Sequence, residues 1–99
     1  MKIPESIRIA GAEYEVETVK DLNDGQRVLA GQIDYTACKI RLGETLEGDA
    51  RHLTLWHEIV HGIVNNAQLE LEDEERVVEA MARGIFQILS DNAPRLGLS

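Results

Sequence analysis

The sequence is poor in cysteine, in aromatic side chains and in basic residues. Cys38 is the only cysteine, so the chain forms no internal disulfide, which is typical of a reducing compartment. Aromatic residues make up 4% of the chain, so a core must be built mainly from Ile, Val, Leu and Ala. The length of 99 residues fits one small domain. We therefore expect a single domain over residues 1–99.

The chain has ten basic and eighteen acidic residues, which gives a formal net charge of −8. Domains that bind DNA or RNA usually present a basic face, so no direct nucleic-acid partner is expected. The sequence has no apolar run of about 18 residues that would span a membrane, and residues 1–8 lack the apolar core of a signal peptide. We expect no membrane partner and a cytoplasmic location.

Apolar residues alternate with polar ones in the first half of the chain and take helical spacing in the second half. The alternation predicts strands between about residues 5 and 42, and short connections favour antiparallel neighbours in a small sheet of three to four strands. The helical spacing predicts a central, buried helix at about 49–66 and a second helix at about 74–90. The predicted fold is α+β, with the sheet packed on two helices.

Residues 57–61 form an HExxH motif inside the first predicted helix. Residues four apart lie on one face of a helix, so the imidazoles of His57 and His61 can converge on one Zn²⁺ at about 2.0–2.1 Å. Glu58 lies beside the pair, where its carboxylate reaches a water in the open position rather than the metal. The motif predicts two metal ligands and a general base; the alternative is a packed or surface histidine pair with a solvated glutamate.

A catalytic zinc site needs a third protein ligand besides its open position. Glu75 and Glu79 flank the apolar stripe of the second predicted helix on one side, so antiparallel packing could aim either one at the histidines. Glu79 is the first choice and Glu75 the alternative. Both could instead be solvated, and Glu79 could pair with Arg83 four residues on.

Other candidate ligands are less favoured. His52 lies about 140° around the helix from His57 and cannot share its face. Cys38 is interpreted as a small buried hydrophobe. Four further acidic residues lie in or next to the link between the helices and could simply be solvated: Glu70, Glu72, Asp73 and Glu74.

Gly84 lies inside the second predicted helix, where glycine costs about 1 kcal/mol relative to alanine. Close helix packing against Gly62 of the motif helix would explain it. A glycine tolerated because of packing elsewhere is the alternative.

The stretch from residues 31–35 (GQIDY) through 54–62 (TLWHEIVHG) to the second helix resembles compact ImmA/IrrE-type metallopeptidases, in particular their short phage and prophage versions. The resemblance covers about residues 5–93 and implies a minimal zincin-like, gluzincin-like fold. It implies a glutamate on the helix after HExxH as third ligand, followed by small and apolar residues, which favours Glu79 over Glu75. Arg83 and Phe86 stand where the family often has Asn and Ala. The matching positions are Glu79, Ala82, Ile85 and Leu89.

The resemblance also implies a protein substrate, with a regulator of a phage or mobile element as the implied class. It implies that an edge strand above the motif helix binds substrate as an added strand, a general mode of peptide recognition. The hairpin over residues 32–42 is the candidate edge, or else an interior strand pair. Tyr35 and Arg41 are candidates for stabilising an oxyanion.

Two functions of different kinds follow from these patterns. The first is a zinc metalloendopeptidase acting on a protein or peptide; the second is a metal-stabilised protein-interaction module without protease turnover. An open fourth coordination position favours the enzyme, and a fourth protein ligand such as Cys38 favours the module. Zinc is the expected metal, although manganese, iron and cobalt suit the same donors.

Overall fold

A computed structural model describes residues 1–98 and shows four strands followed by two helices. The α+β class and both predicted helices are confirmed, since each predicted helix end lies within one residue of the observed end. None of the helices in the described range is long and apolar enough to cross a membrane. The elements are β1 (Ser6–Ile9), β2 (Ala12–Val19), β3 (Gly31–Asp34), β4 (Lys39–Gly43), α1 (Gly48–Asn66) and α2 (Glu74–Asp91).

The prediction of a wholly antiparallel sheet is wrong at one strand pair. The sheet is mixed, with strand order β1-β2-β4-β3, and β2 runs parallel to β4 with Val16 opposite Ile40. Residues 20–30 carry the chain to the edge of the sheet, where β3 forms, and the β3–β4 hairpin then returns β4 to a place beside β2. The hairpin over residues 32–42 was the candidate edge of the sheet. Its first strand, β3, is an edge strand, and its second strand, β4, is interior.

Helix α1 lies between the sheet and α2. One face of α1 packs Leu55 and Ile59 against the inner face of the sheet, and another packs Val60 and Val64 against α2. This arrangement confirms the central helix predicted from apolar residues around most of its circumference. It also directs the HExxH segment toward the edge where β3 and α2 both approach α1. The sheet residues of the core are Ile9, Tyr14, Ile40 and Leu42.

Gly62 packs against the sheet and not against Gly84. A Cβ at Gly62 would lie 3.1 Å from Cδ1 of Ile33 and 3.2 Å from Cδ1 of Ile9, so this glycine lets α1 approach the strands closely. A Cβ at Gly84 would have no such neighbour within 4 Å. The explanation of Gly84 by packing against Gly62 is therefore wrong.

Substituting Gly31 on β3 tests how closely this strand packs on α1. A Cβ at Gly31 would lie 2.5 Å from Cγ2 of Thr54, so Gly31→Ala is expected to lower the free energy of unfolding by about 1–3 kcal/mol in urea denaturation. Thr54→Ser removes that methyl group and keeps the hydroxyl that donates to the carbonyl of Ala50 at 2.8 Å. In the Thr54→Ser background the loss should be smaller; an equal loss in both backgrounds would contradict the contact.

Candidate metal centre

The two histidines of α1 point their Nε2 atoms at each other. One helical turn separates His57 from His61, and their Nε2 atoms lie 3.2 Å apart. The ring centroids are 4.8 Å apart and the rings are inclined by 66°, so they meet edge to face rather than stacking. Both side chains are largely buried. Two ring nitrogens thus face one small volume at the surface of α1.

Glu75, in the first turn of α2, spans both histidines. Its Oε2 lies 3.1 Å from Nε2 of His57, and its Oε1 lies 2.8 Å from Nε2 of His61. One ligand atom from each of these three residues lies within 4.8 Å of the others. Within the part of the chain that the structure describes, these two histidines and Glu75 are the potential metal ligands that lie close enough together to hold one ion.

Two further glutamates contact the opposite nitrogens of the same rings. Glu79 lies 3.0 Å from Nδ1 of His57, and Glu74 lies 2.7 Å from Nδ1 of His61. A carboxylate at Nδ1 favours a proton on that nitrogen and leaves Nε2 as the electron-pair donor. Glu79, the first choice from the sequence, therefore contacts its histidine on the side away from the Nε2 pair, and its other oxygen pairs with Arg83 at 3.1 Å.

Glu58 is the one buried charged side chain of the described core, with 8% of its surface exposed. Burial raises the pKa of Glu58 above the usual range, because a charged carboxylate is poorly solvated there. His57, His61 and the backbone N–H of Ile33 on β3 lie near enough to oppose part of this rise in the pKa of Glu58. Glu58 thus lies between the histidine pair and the edge strand.

A groove of about 740 Å³ runs between β3, α1 and α2 over these residues. Tyr35 lines it and donates its hydroxyl to the carbonyl of His61 at 3.1 Å. Burial, followed by the nearby Glu74 and Glu58 charges, raises the pKa of Tyr35, so the phenol stays protonated. Arg41, the other candidate for an oxyanion, lies outside the groove lining and pairs with sheet carboxylates.

The remaining candidate ligands lie outside the histidine–Glu75 group. His52 stacks on Phe86 with ring centroids 5.5 Å apart. Cys38 sits in the β3–β4 turn with a φ of 54°, and its thiol donates to the carbonyl of Tyr35 at 3.6 Å. Three acidic side chains of the link between the helices are exposed: Glu70, Glu72 and Asp73.

The sequence interpretation did not foresee how two groups contribute to the site. Glu74 was named as a less favoured ligand that could be solvated, whereas at the start of α2 it contacts Nδ1 of His61. The signal was present, since Glu74, Glu75 and Glu79 all lie in the first two turns of one helix. The backbone N–H of Ile33, which lies near Glu58, carries no sequence signal, because any residue except proline would supply it at this position.

The charges of the site suit a divalent cation. Four carboxylates surround two imidazoles: Glu58, Glu74, Glu75 and Glu79. Without a cation the carboxylates repel one another at short range, and a bound divalent ion offsets that repulsion. Two imidazole nitrogens and one carboxylate, with further carboxylates behind both rings, are the donors and outer partners typical of catalytic zinc. The residues present therefore fit the metal that the motif predicts.

Comparison with known proteins gives no match. No family model, no curated protein and no solved structure matches this chain. The likeness to ImmA/IrrE-type metallopeptidases therefore stays a prediction from the residues that carry it.

Proposed function

We propose that this chain is a zinc-dependent metallopeptidase that hydrolyses a peptide bond in a protein substrate. The observation that carries the proposal is the convergence of the His57 and His61 Nε2 atoms on the Glu75 carboxylate. Glu58, buried in the same groove, supplies the group that can move a proton. A zinc site with a neighbouring base in an open groove is the arrangement that metallopeptidases use.

In this proposal the protein ligands are Nε2 of His57, Nε2 of His61 and the carboxylate of Glu75. Glu75 replaces Glu79 as the preferred third ligand because it alone spans both Nε2 atoms. Glu79 and Glu74 hold the Nδ1 atoms, which fixes the orientation of each ring and makes it a stronger donor. Glu79, which the sequence favoured, stays the alternative third ligand. The zinc affinities of Glu75→Gln and Glu79→Gln distinguish the two.

The chemistry divides between the metal and Glu58. When bound, zinc supplies a Lewis acid that polarises a carbonyl and lowers the pKa of a water to about 7. Glu58 accepts the proton of the attacking water and returns it to the leaving amine. A carboxyl whose pKa burial has raised is better matched to such transfer near neutral pH. The Tyr35 hydroxyl lines the groove and is the proposed oxyanion donor once it releases its hydrogen bond to the carbonyl of His61.

The substrate in this proposal is an extended protein segment. β3 is an edge strand beside the groove, so it leaves backbone groups for an added strand to pair with. A regulator of a phage or mobile element is the substrate class that the ImmA/IrrE resemblance suggests. The single cysteine agrees with a cytoplasmic site of action.

The proposal is tested by incubating the zinc-loaded chain with a library of unstructured peptides and reading new termini by mass spectrometry. We expect cleavage that a zinc chelator stops and that added zinc restores. The Tyr35→Phe variant keeps all proposed zinc ligands and should cleave more slowly with unchanged zinc content. Zinc binding without cleavage of any library member or of a whole-proteome extract would contradict the peptidase and favour a metal-stabilised interaction module.

A further inference from the structure

The outer face of α2 carries a continuous apolar stripe. Val77, Met81 and Ile88 are 37%, 53% and 62% exposed. Together with Gly84 they follow the spacing i, i+4, i+7 and i+11, which places them on one side of a helix. This outer stripe, defined as Val77, Met81, Gly84 and Ile88, lies roughly 100° around the helix from the face that packs on α1.

The outer stripe also lies in a segment of low charge. Between residues 80 and 90 the only charged side chain is Arg83, although 28% of the whole chain is charged. The solvent face of a helix in a monomer is usually polar and charged. An exposed apolar stripe with few charges is instead typical of a protein contact surface.

Gly84 lies in the middle of the stripe, and nothing within the chain explains it. It weakens the helix relative to alanine, and a Cβ there would meet no atom within 4 Å. A glycine on an exposed face allows another backbone to approach closely. Gly84 therefore marks the point where a second helix could come nearest to α2.

The charges flanking the stripe are complementary to those of a second copy. Arg76 and Asp91 lie about equally far from Gly84 along α2, in opposite directions, and on the same side of the stripe. In an antiparallel pair crossing at Gly84, Arg76 of one copy faces Asp91 of the other, and Met81 faces Ile88. Asp91 makes no ion pair in the described range, and Arg76 pairs only with exposed Asp73 at 3.3 Å.

We propose that the outer stripe is the contact surface between two copies of this chain, which pair their α2 helices antiparallel about a twofold axis near Gly84. One sequence supplies both halves of each apolar contact and of two symmetric ion pairs, as a twofold interface requires. Glu75 and Glu79 face the groove from the other side of α2, so the pairing leaves the metal centre open. The pairing is independent of zinc and of hydrolysis.

The oligomeric state of the full chain tests this proposal. Sedimentation equilibrium over micromolar concentrations, with and without zinc, should show a dimer in both cases. Met81→Glu and Ile88→Glu should each give a monomer with an unchanged circular dichroism spectrum. The matched control is Val28→Glu in the loop before β3, where the valine is 82% exposed, and it should remain dimeric. A wild type that is monomeric throughout overturns the proposal.

Two further variants test the antiparallel arrangement itself. Arg76→Asp should weaken the dimer about tenfold, because two ion pairs become two repulsive pairs. Adding Asp91→Arg to Arg76→Asp should restore it, and failure to restore it overturns the proposed register. Gly84→Leu should raise the melting temperature of the dilute monomer through helix propensity and yet weaken the dimer; a dimer of undiminished affinity overturns the crossing at Gly84.

Discussion

Glu58→Gln is expected to lower kcat/KM for peptide hydrolysis by about 10²–10⁴-fold while one zinc ion stays bound per chain. Glutamine has nearly the size of glutamate, so it can occupy the same space beside β3. It cannot take a proton from the attacking water. The rate is measured on a peptide identified in the library, and the zinc content by native mass spectrometry.

The stability of the metal-free variant is the control for a correct fold. Glu58 is 8% exposed, and the charged carboxylate is disfavoured by that burial. Removing the charge should therefore raise the melting temperature of the metal-free protein at neutral pH. A folded variant that cleaves as fast as wild type would show that Glu58 is not the base, and loss of zinc would show that it is a ligand.

Glu75→Gln is expected to weaken zinc binding more than Glu79→Gln does. Glu75 contacts both Nε2 atoms, whereas Glu79 contacts Nδ1 of His57. Loss of a carboxylate behind a ligand typically lowers metal affinity about 10–100-fold, and loss of the ligand itself should lower it further. Competition with a chromophoric zinc chelator gives both dissociation constants.

The third histidine supplies a matched control for this comparison. His52 stacks on Phe86 outside the group, so His52→Ala should bind zinc with wild-type affinity. Glu74→Gln should resemble Glu79→Gln, because each carboxylate supports one Nδ1 atom. A larger loss for Glu79→Gln than for Glu75→Gln would reverse the assignment and restore Glu79 as the third ligand.

The choice between these glutamates shows what the sequence could not provide. The helical spacing places Glu75 and Glu79 on one flank of α2. The sequence of one helix does not show which of the two reaches the histidines. They are four residues, or about 6 Å, apart along the axis, so a slide of α2 by about one turn exchanges them. That slide is set by the packing of Val78 and Ala82 against Val60 and Val64, which only the tertiary structure shows.

The strand order of the sheet likewise could not be predicted from local sequence patterns. Alternation predicts which residues of β2 and β4 face the core, but it does not predict the order of the strands. That order depends on the segment between β2 and β3, which reads as a turn-rich loop. In the structure Leu22 is buried, and its carbonyl accepts the N–H of Leu29 at 2.9 Å, so the loop is anchored where it carries the chain to the edge.

The most direct test of the metal centre is the zinc content of the chain purified without added metal, measured by native mass spectrometry beside His57→Ala. We expect one zinc per wild-type chain and none in the variant, because the proposed site consists of the Nε2 pair and Glu75. A wild type that carries no zinc and takes up none on titration would contradict the metal centre, and with it the proposed hydrolysis.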